Sequence, residues 1–300
     1  MKRWIQISLL AATSLAALGA AGLAAGAWLG DRKAARQIDV AVAPLAVPTG
    51  AAALARGRYL FASRGCTECH GDDGAGRRFI DDPGGLVVKA PNISPGPGSV
   101  VAGYSATDWV RALRHGVKPD GRPLFIMPSE DYAGWSDSDL GALVAYVRQM
   151  PPASGTGMEA RVPLLVKTLY AAGVIRDAAE KIDHLAPRPA VAPAPGSAAH
   201  GAYVAGMCLG CHGAQLAGGR IPGAPPSWPA ASNLTPGAGG VMARYADAGQ
   251  FIAMLRTGHR PDGSAVSPVM PFAALRAIDD ADALALYQHL RRLPPVDTGG

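Results

Sequence analysis

The longest apolar run in the chain lies at its start. After Met1-Lys2-Arg3, the 27 residues from Trp4 to Gly30 hold no charge before Asp31, Arg32 and Lys33. A helix of that length can cross a bilayer, and Trp4 and Trp28 would stand ~36 Å apart, near its two interfaces. Residues 1–30 therefore read as a membrane anchor or, because Ala25-Gly26-Ala27 is acceptable as a cleavage site, as an export signal. Gly22, Gly26 and Gly30 recur every four residues, which would let a second helix approach closely. The simpler reading is an Ala-rich span that happens to contain glycines.

Beyond this run the pattern is helical, and it occurs twice. Leu140, Leu143, Val144 and Val147 form an i, i+3, i+4, i+7 stripe, repeated 143 residues later by Ala283, Leu286, Tyr287 and Leu290. Ser136 and Asp279 stand where each helix should be capped, and Pro151 and Pro294 follow each one. Arg114 and Arg256, Gly116 and Gly258, and two Pro-Asp-Gly triplets (Pro119 and Pro261) are each 142 apart. Asn92 to Gly96 matches Asn233 to Gly237 at 141, and Met127-Pro128 matches Met270-Pro271 at 143. Such self-similarity predicts two copies of one unit, at 50–152 and 198–296. Each has a short first helix, a Gly/Pro-rich loop, a middle helix, a Met-containing loop and a closing helix. The 153–197 connection holds one apolar helix over Val162–Ile175 and a semi-stiff Pro/Ala-rich run from Ala186 to Pro195. The predicted fold class is all-α.

Composition adds one point. Aromatics are 6% of the chain, while Gly (38) and Pro (26) are abundant, so two units of this size would have thin cores. Something other than protein should fill them. Charge adds another: 28 Lys+Arg against 23 Asp+Glu, scattered along the chain, is too mild a bias for a nucleic-acid binder.

The four cysteines supply the chemistry. They form CTECH (Cys66, Cys69, His70) and CLGCH (Cys208, Cys211, His212), with none left over. On one helical turn, cysteines at i and i+3 share a side and the histidine at i+4 projects beside them. That arrangement suits two thioether bonds to a haem and one imidazole on its iron, so two covalently attached haem c groups are expected. A redox CxxC pair need not carry the histidine, and a zinc site would lack a fourth ligand nearby.

Met127 lies 57 residues after His70 and Met270 lies 58 after His212, and they are the methionines that recur between the units. They are the expected sixth ligands of iron. A thioether there raises the potential and leaves no open position, which suits electron transfer rather than substrate chemistry. Each ligand histidine should donate its other ring N–H to a backbone carbonyl. Arg114 and Arg256 are candidate partners for haem propionates. Asn92 and Asn233 could donate to propionates or only shape the turn before Pro-Gly. His115 and His259 have no counterparts and are expected at the surface. The Asp72, Asp73, Asp81, Asp82 cluster lacks calcium-loop spacing and reads as a solvated loop. Four ionised propionates would take the formal +5 to about +1.

The chain resembles class I c-type cytochromes twice over, and in particular the haem subunits of bacterial membrane-bound alcohol, aldehyde and gluconate dehydrogenases. The resemblance rests on CTECHG (66–71), PNISP (91–95), RALRHGVKPDG (111–121) and MP (127–128), then CLGCHG (208–213), NLTP (233–236), LRTGHRPDG (255–263) and MP (270–271). It implies two tandem all-α haem domains on the periplasmic side of the bacterial inner membrane, held by the N-terminal helix, or free in the periplasm if that segment is cleaved. It implies electron relay from a dehydrogenase or quinol complex toward an oxidase or soluble cytochrome, with no catalytic residues of the chain's own. The alternative is a diheme enzyme of peroxidase or thiosulfate dehydrogenase type, with one haem open to substrate. Those dehydrogenase subunits commonly carry three haems and a C-terminal amphipathic anchor, whereas this sequence has two motifs and an N-terminal apolar span.

Overall fold

The computed structural model describes residues 2–221, 224, 225 and 227–299; Met1, the first position of the 1–30 segment, lies outside them. The chain is mostly helical. Helix α1 (Lys2–Ala34) is followed by an extended strap, then by α2 (Ala51–Ser63) and α3 (Cys66–His70). Strands β1 (Arg78–Asp81) and β2 (Val87–Lys89) precede α4 (Ala106–His115) and α5 (Asp137–Arg148). The connection holds β3 (Glu159–Arg161), α6 (Leu164–Ala171) and α7 (Ala178–Lys181). The second repeat supplies α8 (Ala198–Ala205), α9 (Leu209–His212), α10 (Ala248–Thr257), α11 (Phe272–Arg276) and α12 (Asp280–Arg292).

The helix ends follow local chemistry. Ser105 and Asp108 form a reciprocal capping box at the start of α4, and Gly116, at φ +64°, ends it in the left-handed conformation. Ser136 accepts from the Asp139 N–H to cap α5, and Asp279 accepts from the Asp282 N–H to cap α12. The predicted stripes then face inward: Leu140, Leu143, Val144 and Val147 are buried, as are Ala283, Leu286 and Leu290.

Two separate apolar cores result. One gathers Leu60, Phe61, Trp109, Leu113, Trp135 and the α5 stripe; the other gathers Val204, Phe251, Leu255, Leu275, Ile278 and the α12 stripe. In both, the first helix crosses the closing helix at a glycine. A Cβ on Gly57 would run into the Ala142 carbonyl, and one on Gly201 into the Ala285 carbonyl.

Two expectations need correction. The all-α reading lacked a small antiparallel sheet of order β1-β2-β3, in which Val87, Val88 and Lys89 pair with Arg161, Ala160 and Glu159. Its strands have three or four residues and pair across some seventy positions, too short for a period-2 signal. The connecting helix is also shorter than Val162–Ile175. The Ala186–Pro195 run contains no helix, and its carbonyls at Pro189 and Ala190 accept from the first N–H groups of α5.

The two repeats meet through a reciprocal exchange. Tyr59 Oη, from α2, donates to Asp282 at 2.6 Å and accepts from the Asp279 N–H of α12. Tyr203 Oη, from α8, donates to Asp139 at 2.9 Å and accepts from the Ser136 N–H of α5. Arg64 and His200 converge on Asp282, and Arg56 binds Asp139 through two nitrogens.

Candidate haem sites

Both cysteine motifs lie on single helical turns bounded by glycines. Gly65, at φ +82°, turns the chain into α3, and Gly71, at φ +75°, turns it out. In the second copy a 3-10 turn at Gly206–Cys208 runs into α9, and Gly213, at φ +79°, ends it. Side chains at these φ values would be strained.

His70 Nδ1 is 2.9 Å from the Pro91 carbonyl, and His212 Nδ1 is 2.7 Å from the Ser232 carbonyl. A carbonyl can only accept, so Nδ1 carries the proton and Nε2 keeps its lone pair for a metal. Burial pushes both imidazoles below their ordinary pKa, against the pull of those carbonyls, which favours the neutral ligand form. The acceptors, which sequence could not name, are the residues just before Asn92 and Asn233.

That adjacency explains the asparagines. Asn92 Nδ2 donates to the Pro97 and Ala153 carbonyls at 3.0 and 2.9 Å, and its Oδ1 accepts from the Ser94 N–H. Asn233 does the same with Ala238, Val296 and Thr235. No amide hydrogen is left for a propionate. Of the two roles open to them, the asparagines take the turn-shaping one, and the turn holds the carbonyl that orients each histidine.

The arginines are also engaged within the protein. Arg114 bridges Asp137 at 2.7 Å and the Trp135 carbonyl at 2.9 Å; Arg256 bridges Asp280 at 3.0 Å and the Arg276 carbonyl at 2.7 Å. Each ties the middle helix to the start of the closing helix. Arg114 Nε remains buried without a protein acceptor, as does Trp109 Nε1 on the same helix.

Met127-Pro128 and Met270-Pro271 adopt matching backbones, with φ −81° and ψ 64° at Pro128 and φ −78° and ψ 71° at Pro271. Met127 lies half-buried at the rim of the first core, as does Cys66; Met270 and Cys208 lie likewise at the second. His115 departs from its expected surface position: it is buried and stacked on His184, with Nδ1 atoms 2.9 Å apart. Burial, then the charges of His184, Arg188 and Arg114, lower its pKa to about 4. His259 is exposed.

These residues fit haem c better than the rival groups. All four cysteines are free of disulfides, and burial raises the Cys66 and Cys208 thiols to about 12, unlike the low-pKa thiolate of a redox pair. Among the described residues, no three His, Cys, Asp or Glu side chains are placed to hold a metal ion. The acidic loop is solvated: Asp73 and Asp82 accept from nearby N–H groups and Asp81 pairs with Arg78. The two orphaned N–H donors on α4 suit a carboxylate-bearing group beside that helix.

Two CxxCH turns, each with a carbonyl-braced histidine and a Met-Pro turn at the rim of its core, have the residue chemistry that covalent haem c attachment requires. Residues 52–147 match the family described as cytochrome c oxidase, cbb3-type, subunit III. The chain is 31% identical over 143 residues to the fructose dehydrogenase cytochrome subunit of Gluconobacter japonicus, covering 44% of this chain and 29% of that one. It is 34% identical over 117 residues to the gluconate 2-dehydrogenase cytochrome c subunit of Pantoea cypripedii, covering 36% and 26%. It is 33% identical over 108 residues to a diheme cytochrome c-type protein of Cereibacter sphaeroides, covering 32% and 36%. The chain thus spans little more than a third of these relatives' lengths at most.

Proposed function

We propose that this protein is a diheme c-type cytochrome with tandem haem domains at 50–152 and 198–296. It carries electrons from a dehydrogenase or quinol complex toward a terminal oxidase on the periplasmic side of the inner membrane, tethered there by α1. Cys66, Cys69, Cys208 and Cys211 would hold two haem c groups through thioethers, with His70 and Met127, and His212 and Met270, as iron ligands. Each bound haem supplies a one-electron centre.

The observation that carries this reading is the duplication of the whole site down to the His–carbonyl bond. The protein's own part is positional. The Asn-pinned loops hold the imidazoles, the Met-Pro turns bring a soft ligand to each core, and Arg114 and Arg256 tie the middle helices to the closing helices. The packing of the repeats also supports transfer within one chain. Asp131, just after the first Met-Pro turn, lies against Gly210 of the second cysteine motif, and α3 packs against α11. The three relatives are named as cytochrome subunits of dehydrogenases or as a diheme cytochrome, which favours a carrier over a diheme peroxidase. For α1, the support is an 18-residue stretch of mean hydropathy 1.8 with none of its residues buried.

The test is low-temperature electron paramagnetic resonance of the holoprotein. Two low-spin His/Met signals are expected, and Met127→Ala or Met270→Ala should each convert one haem to an open, high-spin form while two haems stay covalently attached. A wild-type spectrum in both variants would sink the ligand assignment.

A further inference from the structure

Leu164 and Leu165 open α6 with 57% and 58% of their surface exposed, although the helix is packed on protein. Its partner is α1. Thr168 Oγ1 lies 3.3 Å from the Leu23 carbonyl, and Lys33 Nζ donates to the Tyr170 carbonyl at 2.9 Å. Between these contacts, Gly26 faces Thr168 and Gly30 faces the Lys167 backbone so closely that a Cβ at either would overlap. The close approach allowed by the four-residue glycine spacing is therefore used at Gly26 and Gly30.

The same Thr168 Oγ1 donates to the Leu164 carbonyl at 2.9 Å, so one hydroxyl lies against both Leu23 and the first turn of α6, which puts that turn near the level of Leu23. Leu23 lies inside the uncharged run, about 10 Å from its end at Gly30. Trp28 is 56% exposed with the Arg32 guanidinium 5.1 Å above its ring, an interfacial pairing. Leu23 is about 8 Å deeper than that belt, the depth at which interfacial helices bury their apolar faces. The one cation in this part of α6 turns back: Lys167 Nζ meets Asp31 at 2.8 Å, carrying its charge to the headgroup side of the leucines. Upstream, the charges are engaged within the protein: Glu159 pairs with Lys89, and the exposed Arg161 donates its Nε–H to the Gly85 carbonyl.

We propose that α6 is a second membrane-contacting element, and that the bilayer itself covers Leu164 and Leu165. The proposal rests on the reading of α1 as an anchor. Lipid is the occupant because the leucines continue the apolar surface of α1 at the depth that span sets. Contact at two elements would fix the orientation of the first haem unit over the membrane, where α1 alone would leave it free to swing.

The test uses the full-length holoprotein, whose native cysteines are in thioethers, with single cysteines introduced as Ala17→Cys, Leu164→Cys, Leu165→Cys or Leu185→Cys. Each is reconstituted alone into vesicles of phosphatidylethanolamine and phosphatidylglycerol and reacted with a charged maleimide. Leu185 is 93% exposed and sets the aqueous rate. Positions 17, 164 and 165 should react at least tenfold more slowly, and should be labelled by a photoactivatable reagent dissolved in the bilayer. Protection at 17 with aqueous rates at 164 and 165 overturns the proposal and leaves the anchor standing. An aqueous rate at 17 overturns the anchor, and the proposal with it. Protection at 164 and 165 that vanishes at one copy per vesicle assigns the patch to a second copy and overturns the lipid contact.

Discussion

At the scale of single residues, the asparagines brace the loops that carry the carbonyl acceptors of the two motif histidines. Asn92 is fully buried and makes three hydrogen bonds, two within its loop and one to the distant Ala153 carbonyl, and Asn233 repeats the arrangement with Val296. Asn92→Ala removes all three bonds, but the Pro97 and Ala153 carbonyls keep the Gly155 N–H and the Ser94 hydroxyl, and the Ser94 N–H keeps the Gly74 carbonyl. The cost is therefore that of lost hydrogen bonds rather than of orphaned groups, about 1–3 kcal/mol in all. The holoprotein's unfolding free energy should fall by that amount, seen as a lower denaturant midpoint at unchanged slope, and the reduction potential of the first haem should shift while that of the second holds. Equal shifts in both potentials would contradict a local positioning role. The CxxCH motifs were legible in sequence because a covalent attachment site demands fixed residue types at fixed spacing, whereas the proposed methionine ligands stand out only by their recurrence. The pinning role was not, since a turn asparagine and a propionate donor look alike until the acceptors are placed.

At the scale of elements, each repeat is closed by a helix pair that crosses at a glycine. Gly57→Val would push a side chain into the Ala142 carbonyl of α5, and Gly201→Val would do the same against Ala285 of α12. Overpacking of this kind costs about 1–3 kcal/mol. Differential scanning calorimetry should show each substitution lowering the melting temperature, with the haem absorbance lost first in the substituted repeat. Loss of both haem bands together would mean that the repeats unfold as one unit. The stripes and caps of α5 and α12 were readable because amphipathic period and capping chemistry are local. The β1-β2-β3 sheet was not, because Val87–Lys89 finds its second partner only after the chain has returned from the whole first core.

At the scale of the molecule, the two repeats are joined by buried polar contacts rather than by a shared core. Burial alone would raise the Asp282 carboxyl, but the Tyr59 hydroxyl, the Arg64 guanidinium and His200 outweigh it and hold it below the ordinary carboxylate range. A carboxyl whose folded pKa is depressed contributes stability above its unfolded value of about 4 and loses it as pH falls through the folded value. Acid should therefore loosen this interface. Asp282→Asn should lower the denaturation midpoint at pH 7 and make much less difference at pH 3. A variant equally destabilised at both pH values would show that the charge on Asp282 is not what holds the repeats.

The sequence by itself determined the CxxCH spacing, the duplication, the helical stripes and the apolar span, because each is an ordered pattern of residue types along the chain that is legible before anything packs. Tertiary structure decided what those patterns meet. It set the Pro91 and Ser232 carbonyls behind the histidines, buried His115 against His184, and seated α6 on Gly26 and Gly30. It also exchanged Tyr59 and Tyr203 between the repeats. Each of these contacts joins groups 20 to 223 positions apart in the chain. No local periodicity encodes such separations; only the packing of completed elements brings their polar groups within hydrogen-bonding reach.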